Sequence, residues 1–236
     1  MSSPARTPQC VGFIIDGNRR WAKARKKPTF HGHRAGYFKL RDCIRWAAAM
    51  GIPHLVFYVF STENWKRAPK EVDYLFRLLR MVLRREIGGI KREKVRLRFI
   101  GFRDRISRQM AAQIADAEKE TAKKDARITA TLAFDYGGRS EIIMVTRALA
   151  AEVKNGTLQL DAISEENFAE RLWSAGIPDP DIIVRTGGEQ RLSNFLSWQS
   201  AYSEFFFTQT LWPDFSEKEF LSILSAYQKR ERRFGV

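Results

Sequence analysis

Cysteine is almost absent from this chain of 236 residues, with only Cys10 and Cys43 present. They match no close redox or metal spacing and read as reduced, buried thiols, which excludes a disulfide-stapled scaffold. Histidine is equally sparse, and His31, His33 and His54 form no zinc set with either cysteine. No run approaches the roughly 18 to 20 apolar residues of a membrane span. No charged, apolar, small-residue leader opens the chain, so a cytoplasmic location is expected. The GxxxxGK[ST] loop is missing, as is a GxGxxG run after the first strand, which argues against a nucleotide triphosphatase or an ordinary dinucleotide enzyme. An aspartyl-phosphate nucleophile wants a second Asp two positions from Asp16, where Ile14 and Asn18 stand instead. Acid is the last deficit: 27 Asp plus Glu face 41 Lys plus Arg, a net charge of +14. That balance attracts polyanions, whether nucleic acid, an acidic membrane face or phosphorylated substrates.

What is present is a regular alternation of strand and helix patterns, organised around the run Phe13-Ile14-Ile15-Asp16-Gly17-Asn18-Arg19-Arg20-Trp21. A buried-type strand there ends in a carboxylate, then in residues that tolerate tight backbone, then in a basic helical stretch. Residues 1–10 read as a loose amino terminus and 11–236 as one domain. A basic loop is expected over Lys26–His33, with His33 free to donate to phosphate, followed by a helix to Gly51. Leu55–Phe60 reads as a strand buried on both faces. From Pro69 a helix carries a wide apolar stripe of Val72, Leu75, Phe76, Leu79, Val82 and Leu83, suited to core packing or to walling a cavity. Further strands are expected at Val95–Ile100, Ile128–Phe134, Asp181–Val184 and Glu204–Phe207. Helices are expected to start at the caps Ser107, Ser140 and Ser164, the last running to about Gly176, and at a Ser216/Glu219 capping box. The fold class is therefore α/β, a single layered domain with a mainly parallel central sheet of about six strands surrounded by helices.

Four polar clusters follow predicted strands: Asp16–Arg20, Ser61–Arg67, Asp135–Arg139 and Arg185–Ser193. Parallel strands put their carboxyl ends on one edge, where ligands of such sheets bind, so the first, second and fourth are expected to converge. Guanidinium groups bind phosphate oxygens in bidentate fashion. The Gly187-Gly188 pair lets backbone approach a diphosphate, and a lone Asp beside an anion suggests a divalent metal.

Taken together, Asp16-Gly17-Asn18-x-Arg20-Trp21-Ala22, Gly32-His33, Phe60-Ser61-Thr62-Glu63-Asn64-Trp65-x-Arg67, Tyr136-Gly137-Gly138-Arg139 and Arg185-Thr186-Gly187-Gly188-Glu189-x-Arg191-x-Ser193-Asn194-Phe195 resemble the motifs of the undecaprenyl diphosphate synthase-like cis-prenyltransferases. Trp198-Gln199, Ala201-Tyr202, Glu204 and the closing Arg232-Arg233-Phe234-Gly235 extend the resemblance over almost the whole chain. It implies a Mg²⁺-dependent condensation of isopentenyl diphosphate with an allylic diphosphate such as farnesyl diphosphate, leaving a new cis double bond. By that resemblance Asp16 is the essential acid and, with Glu204, a metal ligand, and Asn64 takes part in proton removal. Gly17, Asn18, Arg20 and His33 would hold the allylic diphosphate. Ser61, Glu63, Asn64, Trp65 and Arg67 would border the reacting ends. Arg185, Arg191 and Ser193 would bind isopentenyl diphosphate, and Arg19, Trp21, Thr62 and Leu192 complete the substrate-binding set. The resemblance also implies a homodimer that needs no separate partner subunit.

Some positions depart from the family pattern. Thr29 stands where an arginine is usual, with Arg19 as a replacement charge, and Asp135 stands where Asn is usual. Two rival functions fit the sequence less well. A nucleic-acid-binding protein lacks any recognition motif here, so no nucleic acid is expected. A non-catalytic accessory subunit of the same family usually lacks the first Asp and the arginines, which this chain retains. The surplus positive charge suits peripheral contact with an acidic membrane.

Overall fold

A computed structural model describes residues 7–230; the first six residues and the closing Arg232–Gly235 motif lie outside the described residues. The chain opens with β1 (Cys10–Ile14), α1 (Asn18–Ala24) and α2 (Thr29–Ala49), then β2 (His54–Ser61) and a 3₁₀ turn over Thr62–Lys66. Next come α3 (Pro69–Arg85), α4 (Ile87–Arg92), β3 (Val95–Ile100), α5 (Arg108–Thr121) and β4 (Ile128–Tyr136). The remainder is α6 (Gly138–Lys154), α7 (Glu165–Ala169), β5 (Ile182–Arg185), β6 (Glu204–Phe207) and α8 (Glu217–Gln228). All six strands pair in parallel, in the order β3-β4-β2-β1-β5-β6. Parallel pairing places every strand's carboxyl end on one edge, and every strand but the edge strand β6 is largely buried.

Alternation along β1 divides the interior. Val11 and Phe13 enter the larger core, where Phe13 stacks on Phe57 and meets Trp212 and Phe220. Cys10 and Ile14 enter the smaller core on the opposite face, with Tyr58, Tyr136 and Phe195. β2 departs from strict alternation, because its pairing with β4 shifts register between Tyr58 and Ser61. Such a bulge re-aims side chains next to a site. Here Phe57, Val59 and Phe60 all join the larger core.

Several local expectations are corrected. Cys10 is not part of a loose terminus: it is fully buried in β1, and the Gln9 and Cys10 amides both donate to Asp181 Oδ2, at 2.7 and 3.3 Å. The basic loop ends early, because α2 begins at Thr29 and takes in His31, Gly32 and His33. Glycine here serves close approach within a helix. A Cβ on Gly32 would stand 2.0 Å from the Asn18 carbonyl oxygen, so α1 and α2 pack backbone to side-chain-free surface. Ser140 does not cap α6, which starts two residues sooner; Asn194 from a distant loop accepts the Gly138 amide on its carbonyl and the Arg139 amide on Oδ1, both at 2.8 Å. Beyond Ser164 the helix stops at Ala169, and Leu172 turns in to pack with Val145 and Leu149. At α8 only half of the capping box forms. Ser216 Oγ accepts the Glu219 amide, while the Glu219 carboxylate takes the Thr208 hydroxyl.

Candidate active site

The site is built at the carboxyl edge of β1, β2 and β5. Ile14 is in register with Tyr58 on one side and Arg185 on the other, so Asp16 leaves the sheet between the ends of β2 and β5. Its backbone is fixed: the Asp16 carbonyl accepts from Thr186 Oγ1 at 2.8 Å and from the Trp212 amide at 3.0 Å. The carboxylate then meets two cations, with Arg185 Nη2 3.0 Å from Oδ2 and Arg20 Nη2 3.2 Å from Oδ1. Arg185 is nearly fully buried, and its Nη1 also donates to Ser193 Oγ (2.7 Å) and to the Arg191 carbonyl (2.6 Å). Arg20 reaches the Gly187 carbonyl at 2.7 Å; a Cβ on Gly187 would come within 2.5 Å of the guanidinium.

Around this clamp lies a polar cleft of about 640 Å³. Of the expected site residues, Asp16, Asn18, His33, Ser61, Glu63, Asn64, Arg67, Arg185 and Ser193 line it. An adjoining basic pocket of about 710 Å³ adds Gly17, Arg19 and Arg20, together with Lys23, Lys26, Lys27 and Thr29. Arg19 and Thr29 therefore face the same space, where an arginine at position 19 can supply the charge that Thr29 lacks. The third polar cluster joins as well through Arg139, alongside Asn194, Ser197 and Tyr58. None of those four stood in the expected site set. Arg139 and Asn194 were visible only as members of glycine-flanked motifs after β4 and β5.

Other expected residues lie outside both cavities. Trp21 Nε1 donates to Asp214 and its ring lies under Arg25, 4.3 Å away. Trp65 packs in an aromatic group with Phe60 and Phe76, and its Nε1 donates to Asp135 Oδ1 at 2.8 Å. This accounts for Asp135: it holds the tryptophan that closes the Ser61–Lys66 turn, and Arg105, 3.4 Å away, balances its buried charge. Thr62 and Leu192 pack behind the cleft walls, and Arg191 is an exposed partner of Glu189.

Glu204 stands apart. Its register partner is Ile182, itself level with Val11, so Glu204 sits at the amino end of β6 while Asp16 leaves the carboxyl end of β1. Five residues of strand, about 16 Å, separate the two levels. Glu204 pairs with Arg230 there. The two carboxylates cannot hold one ion within a single chain.

A charge centre that sequence reasoning missed is Glu71 on α3. Its Oε1 faces His33 Nε2 at 3.1 Å and accepts from Arg67 Nη1 at 3.0 Å, and Oε2 lies 3.8 Å from Arg19. An acidic residue in a helix's first turn gives no sequence signal of such a role. Burial lowers the His33 pKa from its ordinary 6.5, with Arg67 and Arg19 adding to the effect against the bond to Glu71. His54 is lowered too, by burial and then by Arg98 and Arg96. Groups with depressed folded pKa values bind their proton more readily in the unfolded chain, so their share of stability is full above about pH 6.5 and is lost as pH falls below it. The melting temperature is therefore expected to drop between pH 7 and 5, and His33→Gln to flatten that slope. An unchanged slope would mean that His33 is protonated alike in both states.

The cleft opens at Ile15, Asn18, His33 and Val59 into a second, apolar cavity of about 140 Å³ between the sheet and α2 and α3. Leu75, Leu79, Val82 and Leu83 of the α3 stripe wall it, which is the cavity-lining role that stripe suggested. A cationic cleft joined to an apolar cavity suits a molecule with an anionic head and a hydrocarbon tail. The parallel sheet, the cationic edge and the apolar cavity together define the class of site: one for an amphiphile with an anionic head and an apolar tail.

The comparisons with known proteins give the family. Residues 14–235 match the prenyltransferase family model described as "Putative undecaprenyl diphosphate synthase". An isoprenyl transferase of Agrobacterium fabrum is 45% identical over 229 residues, covering 97% of this chain and 92% of that one. The Micrococcus luteus ditrans,polycis-undecaprenyl-diphosphate synthase, specific for (2E,6E)-farnesyl diphosphate, is 42% identical over 98% of this chain and 92% of its own. Among solved structures, lavandulyl diphosphate synthase from Lavandula x intermedia, in complex with dimethylallyl diphosphate, superposes with a TM-score of 0.92 at 36% identity, over 98% of this chain and 99% of that one. A probable undecaprenyl diphosphate synthase from Campylobacter jejuni gives a TM-score of 0.79 at 32% identity, over 98% and 100% of the two chains. The chain belongs to the undecaprenyl diphosphate synthase family and is a cis-prenyltransferase.

Enzymes of this class generally need a divalent metal. Among the described residues no three His, Cys, Asp or Glu side chains stand close enough to form a metal cage. Asp16, which with Glu63 is one of two carboxylates lining the polar cleft, fits a hard cation that takes most of its ligands from substrate phosphates and water.

Proposed function

We propose that the cleft condenses isopentenyl diphosphate with an allylic diphosphate such as farnesyl diphosphate in a Mg²⁺-dependent reaction. The observation that carries this reading is the Asp16 carboxylate clamped between Arg185 and Arg20 where the polar cleft meets the basic pocket. The allylic head lies over the amino end of α1, among Asn18, Arg19, Arg20 and His33, with its tail entering the cavity past Val59. Isopentenyl diphosphate lies against Arg185 and Ser193, and Arg191 leaves Glu189 to reach it. The C–O bond of the allylic substrate breaks and diphosphate departs with the electron pair. The isopentenyl double bond attacks that carbon, and loss of a proton, in which Asn64 takes part, leaves the new double bond. Mg²⁺, when bound at Asp16, supplies positive charge to a diphosphate. Arg20, Arg67 and Arg185 are pre-set on carboxylates and carbonyls, so little reorganisation is needed when the phosphate oxygens replace those partners. The test is incorporation of labelled isopentenyl diphosphate onto farnesyl diphosphate by the purified chain, supported by Mg²⁺ and abolished by chelator. Incorporation unaffected by chelator would remove the metal from the account.

Arg191→Ala is expected to raise KM for isopentenyl diphosphate about ten- to hundredfold, the loss of one charge-assisted contact. Because Arg191 is exposed, the melting temperature should not move. A rise in KM for the allylic substrate instead would reverse the two assignments.

Product length follows from the cavity wall. A volume of about 140 Å³ is close to that of an engineered cavity that takes up benzene, about 150 Å³. A farnesyl tail already exceeds this volume, so α2 and α3 must part to admit it and part further for each added unit, which favours a short or medium product. The bulge in β2 aims Val59 at both cavities. Val59→Ala should lengthen the product at a cost of about 1–2 kcal/mol, read by chromatography and denaturant titration. An unaltered distribution would remove Val59 from length control.

A homodimer is supported by the edge strand β6, where Phe205 and Phe207 stack at 6.3 Å on an exposed face near exposed Tyr202. No helix among the described residues is long and apolar enough to cross a membrane. Peripheral membrane contact is supported by exposed Phe30 and Phe38 on α2, with Arg34 over the Phe38 ring.

A further inference from the structure

The loop after β5 is held in an unusual shape. Ser193, Asn194 and Leu196 take left-handed backbone, with φ of 51°, 69° and 45°. Outside glycine that region is sparsely populated, and Asn enters it more easily than Ser or Leu. Such conformations persist only where surrounding bonds impose them, and they gather at ligand clamps. Here the bonds come from two sides. On the β5 side, Arg185 Nη1 holds Ser193 Oγ and the Arg191 carbonyl. On the other side, Asn194 reaches across the end of β1. Its carbonyl accepts the Gly138 amide, its Oδ1 accepts the Arg139 amide, and its Nδ2 donates to Glu63 Oε1 at 2.9 Å. The backbone N–H of Arg139 can only donate, which turns the Asn194 NH₂ group toward Glu63. Burial works to raise the Glu63 pKa, yet hydrogen bonds from its own backbone, Asn194, Ser61 and Thr62 hold it below its ordinary 4.5. A Cβ on Gly137 would stand 2.7 Å from both Asn194 Nδ2 and Thr62 Oγ1, so the turn after β2, the head of α6 and this loop meet at one point. The side-chain bonds of Asn194 lie at the exposed rim of the cleft. Water competes for such partners, so stability does not explain their position.

We propose that Asn194 is a positioning residue for the condensation, latching the loop that holds isopentenyl diphosphate to the turn that borders the allylic end. The proposal rests on the reading that Arg185 and Ser193 hold isopentenyl diphosphate. β2 and β5 are not neighbours, since β1 lies between them, and their ends stand about 10 Å apart. Substrates carried on separate strand ends react only when their carbons approach to about 3–3.5 Å, and a misplacement of about 1 Å costs on the order of 10²-fold in rate. Both polar atoms of the Asn194 side chain are engaged by protein, so it acts through its neighbour Ser193. The cations hold the diphosphates, whereas the latch sets how closely the reacting carbons approach. Its loss therefore falls on kcat and leaves KM.

The test uses Asn194→Gly, Asn194→Asp, Glu63→Gln and the double variant Asn194→Asp/Glu63→Gln. Glycine keeps the left-handed backbone and removes the side chain without adding charge. The double variant reverses the bond, because the new amide can donate to the new carboxylate. Each chain is assayed with farnesyl diphosphate, isopentenyl diphosphate and Mg²⁺ for kcat and both KM values, and melting temperatures are recorded. Asn194→Gly and Asn194→Asp are expected to lower kcat by about tenfold or more, with little change in either KM. The double variant is expected to regain most of that loss, measured against Glu63→Gln alone. A folded Asn194→Gly chain with the parent kcat would overturn the proposal. So would a double variant whose losses are the product of the two single ones, or a rise in KM at unchanged kcat, which would make Asn194 a binding contact. If Asn194→Gly does not fold, Asn194→Asp and its reversal carry the test. A parent chain that makes no product would overturn the substrate reading and the proposal with it; a normal parent beside unimpaired Asn194 variants overturns the proposal only.

Discussion

Asp16→Asn is expected to lower the condensation rate by at least about 10²- to 10³-fold, the scale of losing one pre-organised electrostatic contact at a reacting centre. The effect should fall on kcat, because Asp16 acts on charge that develops as diphosphate departs. Asn keeps an oxygen that can accept from Arg185, so the fold should survive with a small change in melting temperature. Ala is the harsher variant, since it leaves a nearly fully buried Arg185 facing no acceptor at that nitrogen. A near-normal kcat for Asp16→Asn at saturating Mg²⁺ would remove Asp16 from the chemistry. A collapse in melting temperature would instead make it a structural turn.

Arg185→Ala is expected to damage stability and activity together, unlike Arg191→Ala. Arg185 ties Asp16 to Ser193 and the Arg191 carbonyl, so its loss releases the loop after β5 and leaves Asp16 with Arg20 alone. Breaking a fully buried pair costs about 3–5 kcal/mol. Asp16 is about a third exposed, so water offsets part of that, and about 2–3 kcal/mol is expected. Denaturant titration reads this loss, and steady-state kinetics should give a rise in KM for isopentenyl diphosphate of more than about tenfold. A variant as stable as the parent would show that the clamp does not hold the loop.

Much of this site was legible because strand ends are legible. Val95–Ile100 sets Val, Leu and Phe in alternation with two arginines, Glu204–Phe207 carries three phenylalanines in a row, and their observed bounds match those expected. The α3 stripe likewise announced a surface too wide for simple packing. What was hidden depends on partners far along the chain. Gly32 looks like a helix breaker until α1 is laid against it. Ser140 looks like a cap because the real one, Asn194, lies 55 residues beyond the Arg139 amide that it accepts. Asp16 and Arg185 are 169 residues apart, and only the placing of β1 beside β5 makes them a pair. Glu204 was placed with Asp16 by its motif alone, and the register of β6 carries it to the amino edge of the sheet, away from the cleft of its own chain.

The measurement that bears most directly on the whole account is the structure of the product made from farnesyl diphosphate and isopentenyl diphosphate. The purified chain, with Mg²⁺ and both substrates, is run to completion, and the product is analysed by mass spectrometry and by NMR of its olefinic carbons. The account predicts a polyprenyl diphosphate whose added units all carry cis double bonds and whose length shifts when Val59 is cut back. Trans double bonds in the added units, or unreacted substrates after long incubation with folded, Mg²⁺-supplied enzyme, would contradict it.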